Sequence, residues 1–243
     1  MSTGQVISGL EGVLAFESRI AHIDGTVPEL SFRGYPIQDI AQTLSFEEVA
    51  FLLWEDRIPS ESELEGFSAE LAGLRAIPNA VVDALRAAPE SAHPMATLRT
   101  AVSILGALDP NAEDVSPEDN LRKSKDLTAK LATIVAAQAR LQEGQQPVPP
   151  DPSLGYAANY YYMLHGERPT ETITRTLEAT LVLYAEHETN ASTFACRVVV
   201  GTLSDFYSAV TGAIGALRGP LHGGANEKAM ELIQTFKDPD DEE

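Results

Sequence analysis

Beyond about residue 45, apolar residues return at three- and four-residue intervals along most of the chain, and this spacing predicts helices. The first 35 residues lack it. Residues 13–24 mix β-branched, aromatic and charged side chains, and Asp24-Gly25 is a turn signal ahead of residues 29–33. A small β-hairpin or two short strands are expected there. Ser45-Phe-Glu-Glu48 and Ser60-Glu-Ser-Glu63 have the form of capping boxes, each opening a helix of about 10 to 15 residues. Pro78 starts a short helix ending near Pro89, and a helix through Leu98, Val102 and Leu105 follows Pro94. Ser116-Pro117-Glu118 joins a cap, a first-turn proline and an acid that the helix dipole favours. Its helix is expected to reach Gly144, with Leu127, Leu131, Ile134 and Val135 on the inner face. Residues 145–153 hold four of the 15 prolines and read as a loop. Further helices are expected over 154–165, 170–188, 191–203, 204–217 and 223–236, the last with Ala225, Ala229, Leu232 and Phe236 on one face. The fold class is mainly α with a β-hairpin at its start.

Composition narrows the functions open to such a fold. Hydrophobic residues make up 44% of the chain, enough to build a core and to exclude a disordered segment. With 17 basic and 36 acidic residues the formal charge is 17 − 36 = −19, which repels nucleic acid and anionic membranes. The longest apolar stretch, 179–185, is far short of the roughly 20 residues of a membrane span. The first basic residue is Arg19, after Glu11 and Glu17, so no secretory leader is expected and the cytoplasm is the expected location. A single cysteine, Cys196, excludes an intrachain disulfide and a cysteine-rich metal site. Only five of the basic residues are lysines, none before Lys123. That bias fits a surface adapted to concentrated salt, and it equally fits an ordinary acidic protein from a GC-rich genome.

Five histidines are the natural candidates for chemistry. At about 100° per residue, His187 falls on the helix face of Ile173, Leu177, Thr180 and Tyr184, so it is expected to point inward at the helix end. A buried histidine is ordinarily a satisfied core residue. The run His187-Glu-Thr-Asn190-Ala-Ser-Thr193, however, would set Asn190, Ser192 and Thr193 beside it as a polar pocket. Asn190 also fits the N-cap of the next helix. His222 lies in Gly219-Pro-Leu-His222-Gly-Gly-Ala-Asn226, directly before a helix. There the dipole favours a neutral imidazole able to donate to a carbonyl that becomes an enolate. Gly223 and Gly224 would let backbone approach a ligand, although a Pro-plus-Gly turn with an incidental histidine has the same spelling. His22, His93 and His165 read as structural. No metal site is expected: Glu186, His187 and Glu188 point different ways on a helix, and no His-x-x-x-His pair exists.

These segments, together with Gly9-Leu-Glu-Gly-Val13, Arg33-Gly-Tyr-Pro36 and His93-Pro-Met95, occur in an order that resembles the citrate synthase family. The likeness is to its short dimeric form of bacteria and archaea, which includes 2-methylcitrate synthases. It implies a helical two-domain homodimer with the active site in the cleft between domains. Residues 1–220 would form the large domain, and 221–243 the first helix of the small one. Oxaloacetate and acetyl-CoA would be the substrates, with acetyl-CoA consumed and no resident cofactor. In the family an aspartate takes the methyl proton, a histidine stabilises the enol, and the enol attacks the ketone before the thioester is hydrolysed. By the resemblance, His222 is that histidine, His187 binds oxaloacetate, and Asn190, Gly223 and Gly224 line the substrate.

The family's Gly-x-Gly-His segment, catalytic aspartate and carboxylate-binding arginines come later than the His222 motif. None of the 13 aspartates here has a matching context. The resemblance therefore implies a shortened chain, or one half of a split enzyme whose partner chain carries the rest. A 2-methylcitrate synthase using propionyl-CoA is the alternative within the same chemistry, and a non-catalytic dimerisation module the alternative outside it.

The charge supplies a test. Repulsion among 36 acidic groups reaches across the molecule at about 0.01 M salt and is nearly gone at about 1 M. On the salt-adapted reading, the melting temperature rises by several degrees between about 0.05 M and 2 M KCl, and a neutral osmolyte at equal concentration raises it less. Equal effects of the two would mean that the acidic charge is incidental.

Overall fold

The computed structural model describes residues 17–24, 26–27 and 29–235, with the side chains of 225–227 excepted. The Gly9-Leu-Glu-Gly-Val13 motif, Gly25, the expected helix end at Phe236 and the acidic residues 238–243 lie outside the described residues. Three short strands, β1 (Ala21–Asp24), β2 (Glu29–Phe32) and β3 (Tyr35–Pro36), form an antiparallel sheet in chain order. Helices follow as α1 (Ile37–Ile40), α2 (Phe46–Glu55), α3 (Glu61–Leu74), α4 (Asn79–Ala87), α5 (Pro94–Leu108), α6 (Pro117–Gln142), α7 (Tyr156–His165), α8 (Glu171–Leu183), α9 (Ala191–Val200), α10 (Phe206–Leu217) and α11 (Gly224–Ile233). Among these residues no helix is long and apolar enough to cross a membrane.

The expected hairpin is present, with Ala21 opposite Phe32 and Asp24 opposite Glu29. The third strand was not anticipated. Arg33 (φ 49°) and Gly34 (φ 85°) make a two-residue turn of the kind that joins twisted strands, so Tyr35 pairs back with Phe32. The Arg33 guanidinium donates twice to the Leu53 carbonyl, at 3.1 and 2.5 Å, and fastens the sheet to α2.

Local signals set most helix starts. Glu48 N–H donates to Ser45 Oγ (3.2 Å) while Ser45 N–H donates to the Glu48 carboxylate (2.7 Å), a closed capping box. Ser60 N–H donates likewise to Glu63 (2.9 Å). Ser116, Thr170, Asn190 and Asp205 each accept a first-turn N–H on α6, α8, α9 and α10.

At 26 residues, or about 39 Å, α6 is the axis around which α3, α4, α5 and α7 pack. Leu127, Ile134 and Ala137 of α6 meet Val81, Leu85, Val102, Leu105, Tyr207 and Ile214 in the largest apolar cluster. Val135, expected on the inner face, is exposed. It lies about 80° around the helix from Leu127, at the edge of the buried stripe. Helices α5 and α10 touch at a notch: a β-carbon on Gly106 would stand 2.7 Å from Tyr207 Cβ, so nothing larger than glycine fits.

Two helix N-termini are held from a distance. Tyr156 N–H, opening α7, donates to Glu47 of α2 (2.6 Å). Phe46 N–H, opening α2, donates to Glu178 of α8 (2.6 Å), which also takes a backbone hydrogen bond from Ala157. Arg75, buried, lies 3.9 Å from Glu47 and donates to the Leu154 carbonyl (2.7 Å). Burial, with the nearby charges of Glu47 and Glu48, pushes the Glu178 carboxyl up to about 7 from its ordinary 4.5. Its folded state therefore holds a proton more tightly than its unfolded state. The resulting stability is full below about pH 4.5 and lost as pH rises through about 7. Glu178→Gln is expected to raise the melting temperature at pH 8 by a few degrees and to flatten its pH dependence between about pH 5 and 8. A variant with the parent's pH slope would show that another group titrates.

Candidate functional site

Helix α8 does not continue to residue 188. It stops at Leu183, with Tyr184 as its cap, and Glu188 takes a left-handed conformation (φ 54°). Helical periodicity therefore does not carry to His187, and the expectation of a buried imidazole fails: His187 is exposed, as is Tyr184 at 66%. The inward residue of this helix is Val182, fully buried against Phe32, Ile40 and Val49. Ile173 and Leu177 instead line a shallow cavity against Tyr160, Tyr161 and Leu164 of α7.

The connection from α8 to α9 is nevertheless fixed. Glu188 Oε1 accepts from Ile23 N–H of β1 (3.0 Å), and Ala185 packs against the cluster under the sheet. The His187 ring is tied by Nε2 to the Leu183 carbonyl (2.8 Å) and lies beside Tyr184, ring centroids 6.4 Å apart. Asn190 caps α9 through Oδ1, which accepts Thr193 N–H (2.9 Å) and the Ser192 hydroxyl (2.6 Å).

His222 reaches this cap from 30 residues away. Its Nε2 lies 3.0 Å from Ser192 Oγ. The structure thus joins His222, Ser192 and Asn190 in one hydrogen-bonded chain, while His187 sits on the adjoining connection outside that chain. Ser192 has one proton and two acceptors facing it. When it donates to Asn190, the His222 proton sits on Nε2 and is occupied by Ser192. When it donates to His222 Nε2, the ring proton moves to Nδ1, where it can serve a ligand. The Ser192 hydroxyl thus links the His222 tautomer to the Asn190 cap.

The turn that presents His222 is tightly wound. His222 N–H donates to the Gly219 carbonyl (2.9 Å) and Gly223 N–H to the Leu217 carbonyl (2.8 Å). A β-carbon on Gly223 would stand 2.3 Å from the Leu217 oxygen, so this glycine answers to backbone crowding. At Gly224 the nearest atom would be an ordinary 3.6 Å away. Gly223→Ala is expected to release α11, read as new protease cleavage between residues 219 and 228. Gly224→Ala should leave the digestion pattern as it is. Equal sensitivity of both variants would refute the crowding argument.

The family model for the citrate synthase C-terminal domain matches residues 9–243. A citrate synthase of Haloferax volcanii is 47% identical over 242 residues, covering 98% of this chain and 64% of the relative. A 2-methylcitrate synthase of Mycobacterium tuberculosis is 45% identical over 231 residues, covering 95% of this chain and 58% of the relative. Among solved structures, the citrate synthase of Thermoplasma acidophilum in ternary complex with carboxymethyl coenzyme A and oxaloacetate matches with a TM-score of 0.91 at 31% identity, over 98% of this chain and 62% of that one. The chain spans less than two thirds of the length of these relatives.

Proposed function

The chain belongs to the citrate synthase family, and on that premise we propose that the whole protein condenses acetyl-CoA with oxaloacetate to give citrate and CoA. The observation that carries this reading is the chain from His222 through Ser192 to Asn190, which unites the two most specific motifs of the sequence. As the chain stands Ser192 donates to Asn190; when its hydroxyl turns instead to His222 Nε2, the ring proton lies on Nδ1, and Nδ1–H can donate to the thioester carbonyl and stabilise the enol as the methyl proton leaves. The enol carbon then attacks the ketone of oxaloacetate, and hydrolysis of the thioester frees CoA. His187 and Asn190 are proposed to hold oxaloacetate. In this reading residues 1–220 form the large domain and α11 begins the small one. Both substrates are taken to be met in the cytoplasm.

A homodimer is part of the proposal. Helix α9 has no buried residue and exposes Phe194 and Val198, at 37% and 55%, while α10 packs along it. Sedimentation is expected to give a dimer at micromolar concentration, and a folded monomer would remove this part of the reading.

The catalytic test is CoA release by the whole protein, with oxaloacetate and either acyl-CoA. Acetyl-CoA should be the better substrate, and His222→Ala should cost about 10² to 10⁴ in rate. Faster turnover of propionyl-CoA would make the protein a 2-methylcitrate synthase, the alternative that the Mycobacterium relative favours. The 243-residue chain alone is expected to form no citrate unless a partner chain supplies the aspartate and arginines. Turnover by this chain alone that His222→Ala abolishes would place a base within it.

A further inference from the structure

Glu188 stands where its backbone would favour another residue. Its φ of 54° is left-handed, a conformation that glycine takes freely and that a side chain such as glutamate rarely adopts. A residue kept there against its backbone preference points to a side chain that contributes what glycine cannot.

The partner of that side chain is specific. Arg33 N–H donates to the Ile20 carbonyl (2.8 Å), and hydrogen-bonded pairs alternate along antiparallel strands, so His22 and Asp24 face β2 while Ile23 directs its N–H away from it. In the described sheet β1 is an edge strand. Glu188 Oε1 takes the outward Ile23 N–H at 3.0 Å, across a separation of 165 residues. The Glu188 N–H donates in turn to the Glu186 carboxyl, so His187 sits between two residues that hold each other.

What Glu188 grips is itself anchored. Phe32 of β2 is fully buried against Ile40, Val49 and Val182, and Arg33 ties the sheet to α2 through the Leu53 carbonyl. The other end of the connection is less secure, because Asn190 and Ser192 stand at the start of α9, a helix with no buried residue. Apolar packing fixes the connection as far as Ala185. Between Ala185 and α9 it is tied to the sheet through the Glu188 carboxylate.

We propose that Glu188 is a positioning residue for the oxaloacetate site: its carboxylate, clasped to the Ile23 N–H, holds the connection where His187 and Asn190 meet the substrate. The proposal rests on the reading of those two residues as oxaloacetate ligands. Glu188 touches no reacting atom in this role. With the clasp open the connection is in place for only part of the time, and the apparent affinity for oxaloacetate falls by that fraction. Saturating oxaloacetate restores the connection by mass action, so kcat and the KM for acetyl-CoA measured there should stay as in the parent.

The test uses the whole protein and variants that separate the carboxylate from the backbone. Glu188→Gly removes the carboxylate and relieves the left-handed backbone together. It should raise the KM for oxaloacetate about tenfold, the scale of one hydrogen bond to a charged group. Glu188→Gln keeps an oxygen acceptor for Ile23 and should stay within about threefold of the parent. Ile23→Pro deletes the donor at an edge position where proline is tolerated. It should reproduce the effect of Glu188→Gly, and the double variant should go no further. Calorimetric titration with oxaloacetate should give the same ratios without turnover. If Ile23→Pro does not fold, hydrogen exchange at the Ile23 amide replaces it, and should quicken in Glu188→Gly but not in Glu188→Gln. An unchanged oxaloacetate KM in Glu188→Gly, a loss that Glu188→Gln shares in full, single effects that multiply in the double variant, or an Ile23 amide indifferent to Glu188→Gly would each overturn the proposal. A parent protein that neither binds oxaloacetate nor turns it over would remove the catalytic reading and this proposal with it. A parent that binds oxaloacetate no better than Glu188→Gly does would remove the proposal alone.

Discussion

A helix that begins inside a protein brings N–H groups that its own backbone cannot satisfy, and this fold meets that need with carboxylates from other helices. Glu47 of α2 receives the first N–H of α7, and Glu178 of α8 receives the first N–H of α2. Each carboxylate is itself withdrawn from water, so its charge is tolerable only while the helix end stays in place. The arrangement is thus reciprocal. Position α8 wrongly and the Phe46 N–H of α2 loses its acceptor; move α2 and the Tyr156 N–H of α7 loses its own. The connection carrying His187 and Asn190 leaves the far end of α8, and the same sheet that rests on α2 takes hold of it through Glu188.

Whatever depends on neighbours in the chain was readable from the sequence. Both capping boxes, the α6 start at Ser116 and the loop at 145–153 are short-range patterns with a mechanical meaning. Long-range features were not. Glu47 and Tyr156 are 109 residues apart, and Glu178 and Phe46 are 132, so no window of sequence contains either pair. The third strand was missed because two residues, Tyr35 and Pro36, are too short a run for alternation to register. His187 shows a different limit. Periodicity assigned it to an inner face by extending α8 five residues past its true end, and the left-handed Glu188 that follows the break has no spelling as plain as a glycine.

The site was legible in part. His222 and Asn190 are marked by their motifs, but only the fold sets Ser192 between them. Gly223 was read as an opening for a ligand, and the fold gives it a separate reason in the Leu217 carbonyl. A glycine pair in sequence can serve two ends at once, one residue for the turn and one for access, and spelling alone does not divide them. Family membership rests on the whole length of the match, while the chemistry rests on three side chains whose geometry can be stated.

The unequal burial of the helices has a kinetic meaning. Eight residues of α6 are buried and none of α9, so amide hydrogens along the two helices should exchange with solvent on very different schedules. In the isolated chain those of α6 are expected to open only with the whole fold, and those of α9 with a smaller opening that lifts it from α10. Asn190 and Ser192 belong to the start of α9, so half of the His222 chain lies in the more labile unit. A ligand seated there would bind only while that helix start is in place. Part of its binding free energy is then spent on ordering the protein, and its apparent affinity reports local folding as much as contact.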